Sequence, residues 1–314
     1  MQTVETKMKK IIVTTTINPP TKAIKLFDSI SDWELLVVGD LKTPVGYELE
    51  NGFYLTPAFQ ESKYKKLSDS IGWNCIQRRN LGIVYALELG ADVVALVDDD
   101  NIPINSEWGQ LLIGNGSVPV NCYSNSNLAF DPISVTNYPE LWHRGFPIQE
   151  LRNRVEGKPV VESVIAQVQA DFWQGDPDID AICRFEHAPD CDFKSDVFPF
   201  SSNRFSPFNS QNTFFLREVL KDYYLFPGIG RMDDIWAAYY VQSLGHKVIY
   251  GKPSVEQVRN PHDVTVDFER EIVGYLNNQK LLHALKDSPE RIKDFLPEST
   301  WASFLLYKEL VSHA

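Results

Sequence analysis

Positive charge and cysteine are both scarce in this sequence. Thirty Lys and Arg stand against 42 Asp and Glu, for a net charge of −12. That balance argues against non-specific binding to nucleic acid or to anionic membranes. A phosphorylated ligand would have to be held by a local basic cluster or through a metal. The four cysteines, Cys75, Cys122, Cys183 and Cys191, form no C-x-x-C pair and no metal-finger spacing. Disulfides are not expected, and a reduced intracellular setting fits. No run reaches the roughly 20 apolar residues of a membrane helix. The N-terminus carries no apolar signal core and no cleavage pattern. Internal repeats, low-complexity tracts and linkers are missing as well. A cytoplasmic protein without an integral membrane segment and without a nucleic-acid partner is expected.

The N-terminal half has a repeating order. "IIVTTTI" (11–17) is β-branched throughout and reads as a strand buried on both faces. "NPPT" ends it, and Thr21 caps a short helix through about Ser29. "ELLVVGD" is a second strand that ends at Asp40, and "NGFYL" a short third. A helix runs from about Asn74 to Leu89, closed by Gly90. "DVVALV" follows as a strand. Alternation of this kind predicts an α/β fold with a Rossmann-like, mostly parallel sheet flanked by helices. The second half is less regular, with a helix expected near 160–172. "NTFFLREVLKDYYLF" passes from strand to helix, "RMDDIWAAYYVQSLG" is a helix stopped by Gly245, and "HKVIYG" is a strand. From Asp267 onward the tail reads as helical, with breaks near Pro289 and Pro297. Residues 1–265 are expected to form one domain, and 266–314 a helical extension packed on it.

Ligands on parallel sheets collect at the carboxyl ends of strands. Thr14–Thr16, Asp40 and Asp98–Asp100 all fall there. The triplet in "ALVDDDNIPI" is the sharpest signal. Alternation along the strand lets Asp98 and Asp100 face one space while Asp99 faces away. A D-x-D pair of hard oxygen ligands suits Mg²⁺ or Mn²⁺; a solvated turn is the plainer alternative. In "NCIQRRNLGIVYALELG", Asn80 falls inside the apolar arc of Ile76, Ile83, Val84 and Leu87, and Arg79 flanks it. Either Arg79 and Asn80 meet a nucleotide's base or phosphates, or Arg78 and Arg79 are a surface pair bridged to Glu88 or Asp92. In "GRMDDIWAAYY", one of Asp233 and Asp234 is expected to cap the helix, leaving the other for catalysis. His262 lies in a loop, as a structural residue or as a further metal ligand.

Taken together, these segments resemble the STELLO-like glycosyltransferases and, more distantly, the reversibly glycosylated polypeptides that act as UDP-arabinopyranose mutases. The STELLO likeness is carried by "VTTTINPPT", "WELLVVGDLKTP", "RRNLGIVYALELGADVVALVDDDN", "RGFP", "GDPDIDAICR" and "RNPHDVTVDFERE". "GRMDDIWAAYY" is similar to a G-R-x-D-D-x-W stretch of the mutases. The resemblance spans roughly residues 10–275 and implies a GT-A type fold, a UDP-sugar donor, and Mn²⁺ or Mg²⁺ at the aspartate motif. Asp98, Asp100 and His262 become metal ligands, and Asp98 and Asp99, with Thr15, Asp40, Arg79 and Asn80, the nucleotide residues. Asp233 or Asp234 becomes the catalytic carboxylate. The implied partners are the nucleotide-sugar donor and a glycan or other hydroxyl acceptor, with homo-oligomerisation left open. Two alternatives stand beside transfer: a pyranose–furanose mutase, and a silent nucleotide-sugar-binding partner of another glycosyltransferase. The mutases carry a glycosylated arginine close after an R-G-Y-P element; "RGFPIQELRNR" offers Arg152, displaced by one residue.

Overall fold

The fold is described by a computed structural model covering residues 7–314 except 105–107, 155–156 and 259–262. The strands are β1 (Lys10–Thr16), β2 (Glu34–Gly39), β3 (Phe53–Leu55), β4 (Val93–Val97), β5 (Asn101–Pro103), β6 (Val118–Tyr123), β7 (Val160–Val164), β8 (Val168–Gly175), β9 (Phe200–Ser202), β10 (Asn212–Leu216) and β11 (Val248–Gln257). The helices are α1 (Lys22–Asp28), α2 (Pro57–Ile71), α3 (Arg79–Glu88), α4 (Ala181–Glu186), α5 (Arg217–Leu220), α6 (Asp233–Ser243), α7 (Val264–Asp287) and α8 (Glu298–Ser312).

These strands join in one sheet, in the order β3-β2-β1-β4-β10-β8-β11-β9-β6-β7, with β5 against β11. The fold is mixed α/β, as expected. Its parallel character is confined to three stretches, β3 to β4, β8 with β11, and β6 with β9. From β3 to β4 neighbours run parallel, because α1 and the pair α2 and α3 carry the chain back between strands. Beyond β4 the sheet is mixed. β10 runs antiparallel to both β4 and β8, while β8 and β11 are parallel. A mostly parallel sheet is therefore half right. The alternation that predicts crossovers stops at the aspartate triplet.

Local signals account for most elements. Every residue of β4 is buried, as a strand covered on both faces requires. The Thr21 side chain accepts a hydrogen bond from the Ile24 N–H, the expected cap. Gly90 and Gly245 take left-handed conformations after α3 and α6. The segment 160–172 forms β7 and the start of β8, not a helix. Its β-branched residues, Val160, Val161, Val164 and Val168, favour the pleated surface. The helical tail is present: α7 packs on α4 and α6, and α8 on α2 and α3. Tyr307 Oη donates to the Leu220 carbonyl at 2.5 Å, and Trp236 Nε1 to Asn278 Oδ1 at 2.8 Å. None of the described helices is long and apolar enough to cross a membrane.

Candidate functional site

The tip of β4 is tied down on three sides. The Asp98 N–H donates to the Gln211 carbonyl at 3.2 Å. Asp99 turns toward the loop after β1: its Oδ2 accepts from Thr16 Oγ1 and, at 3.1 Å, from Asn18 Nδ2. Thr21 Oγ1 holds the Asp99 carbonyl at 2.5 Å. Asp98 Oδ1 lies 2.7 Å from Arg79 Nη2. Burial pushes the Asp98 carboxyl above its ordinary range, against the pull of Arg79. Asp98 and Asp100 share the lining of two clefts. The smaller, of about 350 Å³, also has Thr15, Asp40, Arg79 and Asp99 on its wall. The larger, of about 590 Å³, reaches Asp233 and Asp234.

The surface arginine pair is not found. Arg78 and Arg79 are 0% and 1% exposed, so no surface pair exists. Arg78 is held by Gln60, Ser68 and the Gly72 carbonyl, and its guanidinium stacks 3.5 Å over Trp73. Arg79 Nη1 donates to the Ser210 carbonyl at 2.6 Å while Nη2 holds Asp98, so it braces the acidic tip from beneath. Glu88 pairs with Lys63 instead. Asn80, expected at the nucleotide, is engaged by the backbone. It is fully buried, and its amide grips the Leu225 backbone in both directions, at 2.9 and 3.0 Å. A polar side chain on a core face needs a partner, and here the partner is backbone. Asp40 does line the smaller cleft. Its oxygens accept the N–H groups of Leu41, Asn74 and Cys75, and so shape the turn that enters α3.

Asp233 and Asp234 lie in the first turn of α6, and the N-cap position itself is Met232. The expected division into one cap and one free carboxylate is replaced by another. Asp234 is clamped. Arg144 Nη1 and Nη2 reach its two oxygens at 3.0 and 3.2 Å, and the Ser210 N–H adds a bond at 3.0 Å. Asp233 Oδ2 accepts from Gln77 Nε2, at 2.6 Å, and burial together with neighbouring Asp234 pushes its carboxyl up to about 7.

Arg144 belongs to "RGFP", which sequence reasoning quoted without giving its residues a task. Its guanidinium forks between Asp234 and Asp178, from the equally unassigned "GDPDIDAICR". Asp178 is wholly buried; burial acts to raise its carboxyl, but Arg144 outweighs this and holds it well below the ordinary range. Arg231 continues the chain of alternating charges, from Asp178 at 3.5 Å to Asp267 at 2.6 Å and Glu271 at 3.0 Å. Fixed spacing in those two short motifs was the available signal.

Arg152 is exposed on the 3₁₀ turn Ile148–Asn153 and lines neither cleft. His262 lies outside the described residues. Among the described residues no group of three or more His, Cys, Asp or Glu is arranged to hold a metal.

No family model matches the chain. Curated relatives that match include the probable glycosyltransferases STELLO2 and STELLO1 of Arabidopsis thaliana. Each is 24% identical, over 187 and 188 residues, which is 56% of this chain and 24% of the relative. The chain thus spans about a quarter of the length of these relatives. Among solved structures, the mannosyltransferase PcManGT from Pyrobaculum calidifontis, in complex with GDP-Man and Mn²⁺, superposes with a TM-score of 0.41 at 10% identity, covering 95% of this chain and 74% of that one. A197 from STIV superposes at 0.31 with 12% identity, covering 78% and 82%. Both superpositions are too loose to bear on the site. In sequence, the chain is STELLO-like over a little more than half of its length.

Proposed function

We propose that the chain is a metal-dependent glycosyltransferase of GT-A type that moves a sugar from a UDP-sugar to a hydroxyl acceptor. The reading rests on one observation: Asp98 and Asp100 stand on the boundary shared by two clefts, with Asp40 on one side and Asp233 on the other. The activity in the printed names of the STELLO relatives supports it.

The donor set fits a hard divalent cation. Mg²⁺-type ions are usually held by one or two carboxylates, with substrate phosphates and water completing the shell. Asp98 and Asp100 supply such a pair, so the lack of a third described protein ligand is no obstacle. Bound there, Mg²⁺ or Mn²⁺ would offset the negative charge that grows on the leaving diphosphate. Asp99, locked to Thr16 and Asn18, keeps the tip aimed. Arg79 holds Asp98 in place. Thr15 and Asp40 line the nucleotide side. Asp233 receives the acceptor hydroxyl proton on Oδ1, since Gln77 occupies Oδ2. Asp234, with both oxygens engaged, fixes the position of its neighbour rather than acting as base.

Thermal unfolding with a panel of nucleotide sugars, with and without Mn²⁺, tests the reading. The expected result is a rise in melting temperature that needs both a UDP-sugar and the metal and is lost in Asp100→Ala. No ligand-dependent shift, or one unchanged in Asp100→Ala, overturns it.

A further inference from the structure

Most charges on the wall of the larger cleft are already matched. Arg144 lies between Asp178 and Asp234, Arg231 against Asp267 and Glu271, and Asp98 against Arg79. Arg270 differs. It lines the same cleft, is exposed to solvent, and enters no ion pair among the described residues. On α7 it follows Asp267 by three positions and precedes Glu271, so it emerges beside the face that grips Arg231.

The position of Arg270 is set by backbone. Gly230 adopts φ +61°, and a Cβ there would run into the Arg270 carbonyl oxygen. Gly230 opens the 3₁₀ turn Gly230–Met232 that leads directly into Asp233. One close backbone contact therefore registers Arg270 against the candidate base.

A second observation comes from β11. Its last residue, Gln257, lines the cleft and is 4% exposed, yet its Oε1 accepts no hydrogen bond. A buried acceptor without a donor is costly, and such atoms are few in folded proteins. Among the described residues the cleft wall thus carries a cation in no ion pair and a buried amide acceptor with no donor, supplied by different elements. Together they call for a ligand that brings an oxyanion and a hydrogen-bond donor.

We propose that the larger cleft binds a hydroxyl-bearing sugar with a carboxylate or phosphate group, Arg270 holding the oxyanion and Gln257 Oε1 accepting from a hydroxyl. The proposal deepens the glycosyltransferase reading, and rests on it, only in naming this sugar the acceptor. A uronic acid and a sugar phosphate both meet the chemistry.

Binding of glucose, glucuronate and glucose 6-phosphate to the full chain is measured by ligand-observed NMR, with and without UDP and Mn²⁺. One of the two anions should bind about tenfold more tightly than glucose, as a single charge-assisted contact provides. Preference for glucuronate assigns a carboxylate, and preference for glucose 6-phosphate a phosphate. Arg270→Ala should bring the anion to the level of glucose, Arg270→Lys should restore part of the difference, and UDP–Mn²⁺ binding should be unchanged in both. Gln257→Leu should weaken all three sugars alike. Equal binding of glucose and the anions, or no sugar binding, overturns the proposal. So does a loss of UDP–Mn²⁺ affinity in Arg270→Ala, which would put Arg270 on the donor diphosphate. Arg270-dependent anion binding in a chain that binds no UDP would instead sink the glycosyltransferase reading and leave the oxyanion site standing.

Discussion

Arg144→Ala removes the cation between two buried carboxylates, and its cost follows from the geometry. Arg144 Nε lies 2.9 and 3.1 Å from the Asp178 oxygens, and Nη2 lies 2.8 Å from Oδ2. The same guanidinium meets both oxygens of Asp234. Asp178 is 0% and Asp234 5% exposed, so neither can turn to water. Removing one partner of a buried pair costs about 3–5 kcal/mol, a large share of the roughly 5–15 kcal/mol that holds a domain folded. Asp178 keeps Asn209 at 2.9 Å and the more distant Arg231, which favours the lower end of that range. The pH dependence has a definite sign. The folded Asp178 carboxyl sits well below its ordinary value, so its stabilisation is full above the unfolded value, about 3.9, and is lost as pH falls through the depressed folded value. Without Arg144, burial lifts that carboxyl, and acid then relieves the variant by neutralising it. The gap between wild type and variant should be widest near pH 8 and narrow toward pH 4. Urea unfolding followed by tryptophan fluorescence at several pH values reads this directly, with midpoints compared at a common slope. A loss under about 1 kcal/mol at pH 8, or a gap that ignores pH, would refute the buried-clamp argument. Arg144→Ala with Asp178→Asn should recover part of the loss.

Three further outcomes are expected. The rate of donor turnover should rise through about pH 7 as Asp233 loses its proton. Asp233→Asn should remove that limb and lower the rate by about 10²–10⁴; a pH–rate profile identical to wild type would exclude Asp233 as base. Asn80→Leu should cost about 1–3 kcal/mol by orphaning the Leu225 backbone groups, read by urea unfolding, with UDP affinity of the folded variant unchanged; a selective loss of UDP binding would return Asn80 to the nucleotide site. Gly145→Ala forces a side chain onto a φ of +85° and against Ile235. It should destabilise by about 1–3 kcal/mol and weaken the hold of adjacent Arg144 on Asp234, seen as a shifted pH–rate profile; wild-type stability would show that the close approach is relieved elsewhere.

The parts of the fold legible in the sequence are those governed by short-range patterns. β1 announces itself as an unbroken β-branched run and β2 and β4 as short apolar runs, and Thr21, Gly90 and Gly245 mark helix ends by local chemistry. α2 was equally marked and was overlooked. Thr56 caps it, Pro57 sits in its first turn and Gly72 ends it, yet its apolar stripe is weak because Lys and Glu dominate the exposed face. The segment 160–172 misled for the opposite reason. Isolated from its partners, "VVESVIAQVQADF" offers apolar residues at both helical and strand spacing, and β6 and β11 decide the matter from far away in the chain. Strand order beyond β4 was out of reach on the same ground, since pairing of β10 with β4 depends on contacts more than a hundred residues apart. Within the site, the acidic tip was readable because adjacent carboxylates after a buried strand are locally anomalous. The pairing of Arg79 with Asp98, and of Arg144 and Arg231 with Asp178, Asp234, Asp267 and Glu271, was not, because these groups meet only once the sheet is assembled.

A net charge of −12 describes the surface of this protein poorly as a guide to its clefts. Arg78, Arg79 and Arg144 are almost wholly buried, and each guanidinium is absorbed by carboxylates, side-chain oxygens or carbonyls. Part of the positive charge is thus used inside, with Arg79 and Arg144 orienting acidic groups. The consequence for recognition is local. A cleft in which Asp98 and Asp234 are braced by buried Arg79 and Arg144 can admit a diphosphate through a metal, since these charges limit the repulsion. Among the described residues Arg270 is the arginine of the larger cleft left without a carboxylate, and its placement three residues from Asp267 makes α7 part of the cleft wall as well as of the scaffold.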